Sequence, residues 1–384
     1  MGFEFYTAPR IIFESGSIKK LPSLVRGYGK HFLIVTGGSS LRRLGVLGGL
    51  MADMEANGLK CTVYDGAVGE PTPEIVDAAV KLGLQAGADA VIGIGGGSAM
   101  DTAKAAAGVI PNGGSVRDYL EGVGSGAKVI ADPLPFIAVP TTAGTGTEVT
   151  KNAVIMSMGE HFKASMRDSR LMARLALVDP ELTLSVPPAV TAASGMDAIC
   201  QLIESLTTTQ ANPFCDAMVL YHAPRAMAAL RRAYKDGNDL EARETMSLAA
   251  LVSGMCLANT GLGAAHGIGA GLGAVLGVAH GVACGMLLPH VMRYNTKHGV
   301  TKYAQLAKSV CGRSFSDDKA ASMALANAVA ALCADLGLPE RLGSLGVTQE
   351  LVGDIVDASM GSSMKKNPVT FTRETCQKFI LSLI

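Results

Sequence analysis

The sequence predicts a chain in two parts, a parallel α/β domain over residues 1–186 followed by an all-helical domain over residues 187–384. Three observations carry this prediction. Up to Pro187-Pro188, short apolar runs alternate with amphipathic stretches, the signature of a parallel sheet covered by helices. Beyond that point, long Ala-, Leu- and Met-rich patterns take over, with little β-branched alternation. Within them, Thr245 to Met292 holds no Asp, Glu, Lys or Arg, and the glycine-rich part from Thr260 to Val291 carries His266, His280 and His290.

The first strand is read at His31–Thr36, closing on Gly37-Gly38-Ser39-Ser40, with a helical pattern from Leu41 to Gly58. The second is Lys60–Tyr64, and Glu70-Pro71-Thr72-Pro73-Glu74 opens the next helix. The third, Ala88–Ile94, is apolar throughout, as a strand buried on both faces should be. It runs into Gly95-Gly96-Gly97-Ser98-Ala99-Met100-Asp101, where glycines allow close approach of a diphosphate and a new helix offers free amide donors. Ser98 and Asp101 also fit a capping box that fixes the helix start. A plain capped turn has the same composition, so this loop alone decides nothing. The apolar strand Pro135–Val139 leads to a second Gly- and hydroxyl-dense loop, Pro140 to Glu148, in which Thr141, Thr142 and Thr145 suit ribose and phosphate oxygens. Two such loops at strand ends point to a Rossmann-like dinucleotide site; Lys163 is the basic candidate for the same cofactor. At the end of the first strand stands Gly37, where a carboxylate would hold a ribose 2′-hydroxyl; Ser39, Ser40, Arg42 and Arg43 follow, which favours NADP over NAD.

In the helical part, Pro213–Arg232, Glu241–Thr260 and Asp317–Leu336 read as helices. Asp197 and Gln201 share a helix face and can offer oxygens to one cation, although a capping Asp with an incidental Gln has the same spacing. His266 and His280 are fourteen residues apart, about 21 Å on a straight helix, so both reach one ion only if the chain folds back between them. Gly271, Gly273 and Gly277 are the places for that break.

Composition narrows the partners. Basic and acidic side chains balance at 33 each, which leaves no basic footprint for nucleic acid or an anionic membrane. More than about 18 uncharged residues in a row is a membrane-span signal, but the density of glycine and histidine and the lack of an aromatic belt favour a buried core. Eight scattered cysteines without a CxxC pair and a start lacking a basic-then-apolar leader lead to the expectation of reduced thiols in a cytoplasmic protein.

The motifs taken together, FYTAPRIIFESGSI, GGGSAMDTAK, PTTAGTGTEVT, LVDPELTLSVPP, GMDAICQLIE and HGVACGMLLPHVMRYN with Asn367-Pro368, resemble the iron-containing (group III) alcohol dehydrogenases over nearly the whole chain. The resemblance implies a dehydroquinate synthase-like fold, an NAD(P)-dependent oxidoreductase acting on alcohols or aldehydes, and Fe²⁺ or Zn²⁺ in the cleft as Lewis acid. It places Asp197, His266 and His280 as metal and catalytic residues. Gln201 falls where the family has a histidine ligand, and Ala270 where many members carry a histidine near the nicotinamide. The expected partners are an alcohol or aldehyde and further copies of the chain, as a homodimer or larger. Three rivals stand beside this reading: a metal-independent reductase like the maleylacetate reductases, a lyase like dehydroquinate synthase, and a nucleotide-binding sensor without turnover.

Overall fold

A computed structural model of the chain describes residues 2–160 and 162–384. The strands are β1 (Ile11–Phe13), β2 (His31–Thr36), β3 (Lys60–Tyr64), β4 (Ala90–Gly95), β5 (Phe136–Pro140), β6 (Asn152–Ser157), β7 (Phe162–Arg167) and β8 (Leu175–Val178). Six of them form one parallel sheet in the order β1-β8-β5-β4-β2-β3, while β6 and β7 pair as a separate antiparallel hairpin. The short helices α1 (Leu21–Val25) and α2 (Ser40–Arg43), then α3 (Val46–Ala56), α4 (Pro73–Ala86) and α5 (Gly97–Asn112), belong to this half. Side chains of alternate sign along the strands explain the two-sided burial. Leu33, Val35 and Val91 pack with Val76 and Val80 of α4 and Met100 of α5. Phe32, Ile34 and Ile92 face the other way, onto Leu21 of α1 and Leu50 and Met54 of α3.

The order makes a switch point. From β2 the chain steps out to β3, then crosses back to lay β4, β5 and β8 on the opposite side, so a crevice opens between the C-terminal ends of β2 and β4. The Gly37-Gly38 and Gly95-Gly96-Gly97 turns flank that crevice.

The second half is α6 (Pro188–Thr207), α7 (Pro213–Lys235), α8 (Leu240–Thr260), α9 (Ala264–Leu276), α10 (His280–Lys297), α11 (Ala304–Cys311), α12 (Asp318–Asp335), α13 (Val352–Ser359) and α14 (Arg373–Leu381). Helix α6 is its axis: every residue from Gly195 to Thr207 is buried. No single helix among the described residues is long and apolar enough to cross a membrane. The uncharged run is instead split, with α8 and α9 meeting at a bend of 99° across Gly261.

Several local expectations are corrected. The single helix read over Leu41–Gly58 is two, because Gly45 takes a left-handed conformation (φ 73°) between α2 and α3. Strand β1 and the β6–β7 hairpin had no counterpart in the sequence reading, being too short or too mixed in polarity to show a period. Of the three glycines offered as breaks before His280, only Gly277 (φ 67°) ends a helix. Gly271 and Gly273 lie inside α9, and a side chain at Gly271 would meet the Ile355 carbonyl of α13 at 2.6 Å.

Candidate metal centre and cofactor cleft

Three helices bring the metal candidates together. Asp197 sits mid-way along α6, His266 in the first turn of α9 and His280 at the first residue of α10. His266 Nε2 lies 3.2 Å and His280 Nε2 3.9 Å from Asp197 Oδ1, and the two rings are edge-on at 5.4 Å between centroids. Glycines permit this approach. Added side chains at Gly281 and Gly285 of α10 would come within 2.6 Å of the Ala193 carbonyl carbon and 2.9 Å of Met196 Cβ, both on α6.

His266 is oriented from behind. Its Nδ1 is 2.7 Å from Glu204 Oε2, and the same carboxylate accepts the Gly263 and Ala265 amides at 2.9 and 2.7 Å. A carboxylate acting as acceptor holds a proton on Nδ1 and turns Nε2 toward Asp197, the orientation taken by metal-ligating imidazoles. Glu204 lies seven residues, about two turns, beyond Asp197 and so on the same face of α6; this spacing could have singled it out.

Gln201 departs from its expected role. Its amide nitrogen donates to Asp197 Oδ2 at 3.0 Å, and its carbonyl accepts from Ser253 Oγ at 2.6 Å, so the oxygen expected on the ion is turned toward α8. At the position that the resemblance gives to a metal ligand, the side chain thus hydrogen-bonds Asp197. Cys284, passed over in the sequence, joins the group instead: ligand atoms of Asp197, His266, His280 and Cys284 all lie within 4.8 Å of one another. Electrostatics tie them together. Burial resists charging of His266, but the Cys284 sulfur and hydrogen bonds to Asp197 and Glu204 outweigh it and hold the imidazole well above its usual range. Burial likewise resists ionising Cys284, yet the Cys200 thiol and the two histidines draw it well below an ordinary thiol. A buried cluster that favours negative sulfur and carboxylate beside paired imidazoles has the donor chemistry of a divalent-metal site.

The cofactor loops meet at the crevice. The Thr141 amide donates to the Gly95 carbonyl at 2.8 Å. Side chains at Gly96 and Gly97 would press on Thr142 and Thr145, at 3.2 and 2.8 Å. Gly37 faces the Ala67 carbonyl too closely (2.7 Å) for an unstrained side chain, Gly38 turns at φ 64°, and Ser39 caps α2 by position without a side-chain bond. The expected capping box is absent: Gly96 precedes α5 and no side chain caps it. Asp101 is buried and accepts from the Val154 amide (3.1 Å) and the Thr147 hydroxyl, which places it inside the protein as a brace for the second loop. Ser98 Oγ is buried with no partner among the described residues, a polar atom left for a ligand at the start of α5. Lys104, quoted in the motif without a role, is the main tie: its ammonium donates to Thr147 O, Thr147 Oγ1, Thr150 Oγ1 and Asn152 O at 2.7–2.9 Å. Lys163, on β7, pairs with Glu70 at 3.1 Å. Burial opposes ionisation of Glu70, but the charges of Lys163 and His280 prevail and lower its pKa.

Residues 8–180 match the family described as iron-containing alcohol dehydrogenase, and residues 191–384 match its C-terminal domain. The chain belongs to the iron-containing alcohol dehydrogenases. Among its relatives in this family, the probable alcohol dehydrogenase EutG of Escherichia coli is 34% identical over 371 residues, 96% of this chain and 92% of that one. Lactaldehyde reductase of the same organism is 35% identical over 354 residues, covering 91% and 90%. The crystal structure of sulfoacetaldehyde reductase from Bifidobacterium kashiwanohense in complex with NAD⁺ superposes with a TM-score of 0.88 at 28% identity, over 100% of this chain and 99% of that one. This iron-containing alcohol dehydrogenase is therefore an oxidoreductase of the alcohol–aldehyde class, with the family's parallel-sheet and helical halves.

Proposed function

We propose that the chain is an NADP(H)-preferring alcohol dehydrogenase or aldehyde reductase that uses a divalent metal, Fe²⁺ or Zn²⁺, carried by Asp197, His266 and His280. The convergence of these three side chains from three helices, with His266 anchored by Glu204, is the observation that carries the proposal. The donor set fits the ion: one carboxylate and two imidazoles in a site closed on the Asp197 and His266 side. Once bound, such an ion supplies Lewis-acid polarisation of the substrate oxygen, and NADP(H) supplies or accepts the hydride.

The chain's own residues then bind and orient. Asp197 and His266 are nearly buried, whereas the His280 side chain is 24% exposed, so the substrate reaches the centre past His280. The Glu70–Lys163 pair, whose Glu70 carboxyl feels the charge of His280, offers ionisable groups for proton exchange where the resemblance puts Ala270 in place of a histidine. Gly95, Gly96, Gly97, Ser98, Thr141, Thr142 and Thr145 cradle the cofactor phosphates and ribose, and Arg43, exposed at the end of α2 and without an ion pair among the described residues, is the cation offered to a 2′-phosphate, since Arg42 already pairs with Asp65 at 3.0 Å. The chain is further proposed to be cytoplasmic and to act as a homodimer or larger assembly, a point that light scattering of the purified protein decides.

The test is metal analysis of the purified protein combined with NADPH and NADH oxidation over an aldehyde panel, before and after chelation. Stoichiometric metal with chelator-sensitive turnover is the expected result; undiminished turnover in metal-free protein would sink the metal mechanism. A metal-independent reductase is the second reading, favoured by the Gln201 amide seated on Asp197 Oδ2, and full turnover after chelation is its signature.

A further inference from the structure

We propose that Cys284 supplies the fourth protein donor to the metal, so that the ion is held by Asp197, His266, His280 and a cysteine sulfur, while Gln201 orients Asp197 without ligating. The inference rests on the metal-dependent reading above and concerns residues of this chain alone.

Four observations lead to it. Cys284 is four residues after His280 on α10, so both side chains project from one face of the helix. Its sulfur lies 3.6 Å from His280 Nε2 and within 4.8 Å of the ligand atoms of Asp197 and His266. Donors around a tetrahedral ion sit roughly 3.3–3.8 Å apart, given bond lengths of about 2.0–2.3 Å, so a small contraction completes the set. Room for the sulfur is made by Gly269 of α9, where a side chain would come within 2.9 Å of it. Finally, the position that would supply another donor is spent: the Gln201 carbonyl accepts from Ser253 and its amide holds Asp197.

Cys200 is the rival sulfur and is placed differently. It approaches His266 at Nδ1, 3.6 Å away, the nitrogen already facing Glu204, and so lies behind the imidazole. Placed there, Cys200 backs the imidazole from outside the ion's reach.

Cobalt(II) titration of the metal-stripped full-length protein tests this without relying on turnover. Visible d–d bands report that the ion is bound, and a near-ultraviolet sulfur-to-cobalt charge-transfer band reports cysteine ligation. The wild type is expected to show both. Cys284→Ser is expected to keep the d–d bands, lose the charge-transfer band and bind cobalt on the order of 100-fold more weakly. Cys200→Ser should keep both signals. The double variant Gln201→His with Cys284→Ser should regain affinity without the charge-transfer band, which shows that the single variant failed through its missing donor and not through misfolding. If the wild type shows d–d bands alone, or Cys284→Ser keeps the charge-transfer band, the cysteine assignment is overturned while the metal reading stands. Absence of any d–d band overturns both.

Discussion

Lys104 and Glu148 are buried ionisable groups at the second cofactor loop with opposite effects on stability. The Lys104 ammonium is fully enclosed and joins α5 to the Thr147–Asn152 turn through four acceptors, with Asp101 at 3.9 Å. Lys104→Met leaves the buried Asp101 carboxyl without its counter-charge and is expected to cost about 3–5 kcal/mol in urea unfolding, since removing one partner of a buried pair costs more than the pair contributes. Glu148 is 2% exposed, and burial pushes its carboxyl up to about 7, against the pull of Lys104. The folded chain therefore keeps a proton that the unfolded chain releases near pH 4.5. Stability from this group is present below that value and is lost as pH rises through about 7. Glu148→Gln should raise the unfolding free energy in urea at pH 8, by about 1–3 kcal/mol, and change it little at pH 5; an unaltered pH profile in the variant would refute the role given to Glu148. At the cofactor's ribose, Arg43→Ala should weaken NADPH binding roughly tenfold, the worth of one charge-assisted hydrogen bond, and leave NADH binding nearly unchanged.

At the scale of elements, the approach of α10 to α6 is what sets His280 against Asp197. Gly281 rests on the Ala193 carbonyl and Gly285 on Met196. Gly281→Ala is expected to lose about 1–3 kcal/mol from overpacking and to lower metal content in the purified protein, because the helix must lift away from α6. Gly48→Ala, on an exposed face of α3 with nothing within 4 Å of the new side chain, is the control and should be neutral or slightly stabilising. Equal metal content in both variants would separate helix spacing from metal binding. This explains the high glycine content of the uncharged stretch: Gly269, Gly271, Gly281 and Gly285 are contact points for Cys284, α13 and α6, whereas Gly261 and Gly277 stand at helix breaks.

On the scale of the molecule, the sheet half and the helical half meet at the second cofactor loop, with Gly146 on Gly254 of α8 and Gly144 on Ser194 of α6, and again where the β6–β7 hairpin reaches the turn before α10, with Met158 against Gly277. A cofactor at the crevice binds the folded chain only, so NADPH at 100 times its dissociation constant should add about 2.7 kcal/mol of stability. The thermal midpoint is expected to shift more with NADPH than with NADH at equal concentration; equal shifts would remove the NADP preference.

Much of this architecture was legible in the residues. Alternating apolar runs placed β2, β3, β4 and β5 to within a residue or two, and the two glycine loops stand where strand ends put them. The spacing of His266 and His280 required a fold-back because a straight helix would hold them about 21 Å apart. These features are local, dictated by backbone period and by what glycine and proline permit. What the tertiary structure alone decided depends on side chains from separate elements meeting in space. Ser253 turns the Gln201 carbonyl off the ion, Glu204 orients His266, Lys104 closes on the second loop, and Cys284 enters the donor set through the gap at Gly269. Side-chain direction at each of these positions is set by which neighbour satisfies its polar atoms, and no periodicity along the chain records that choice.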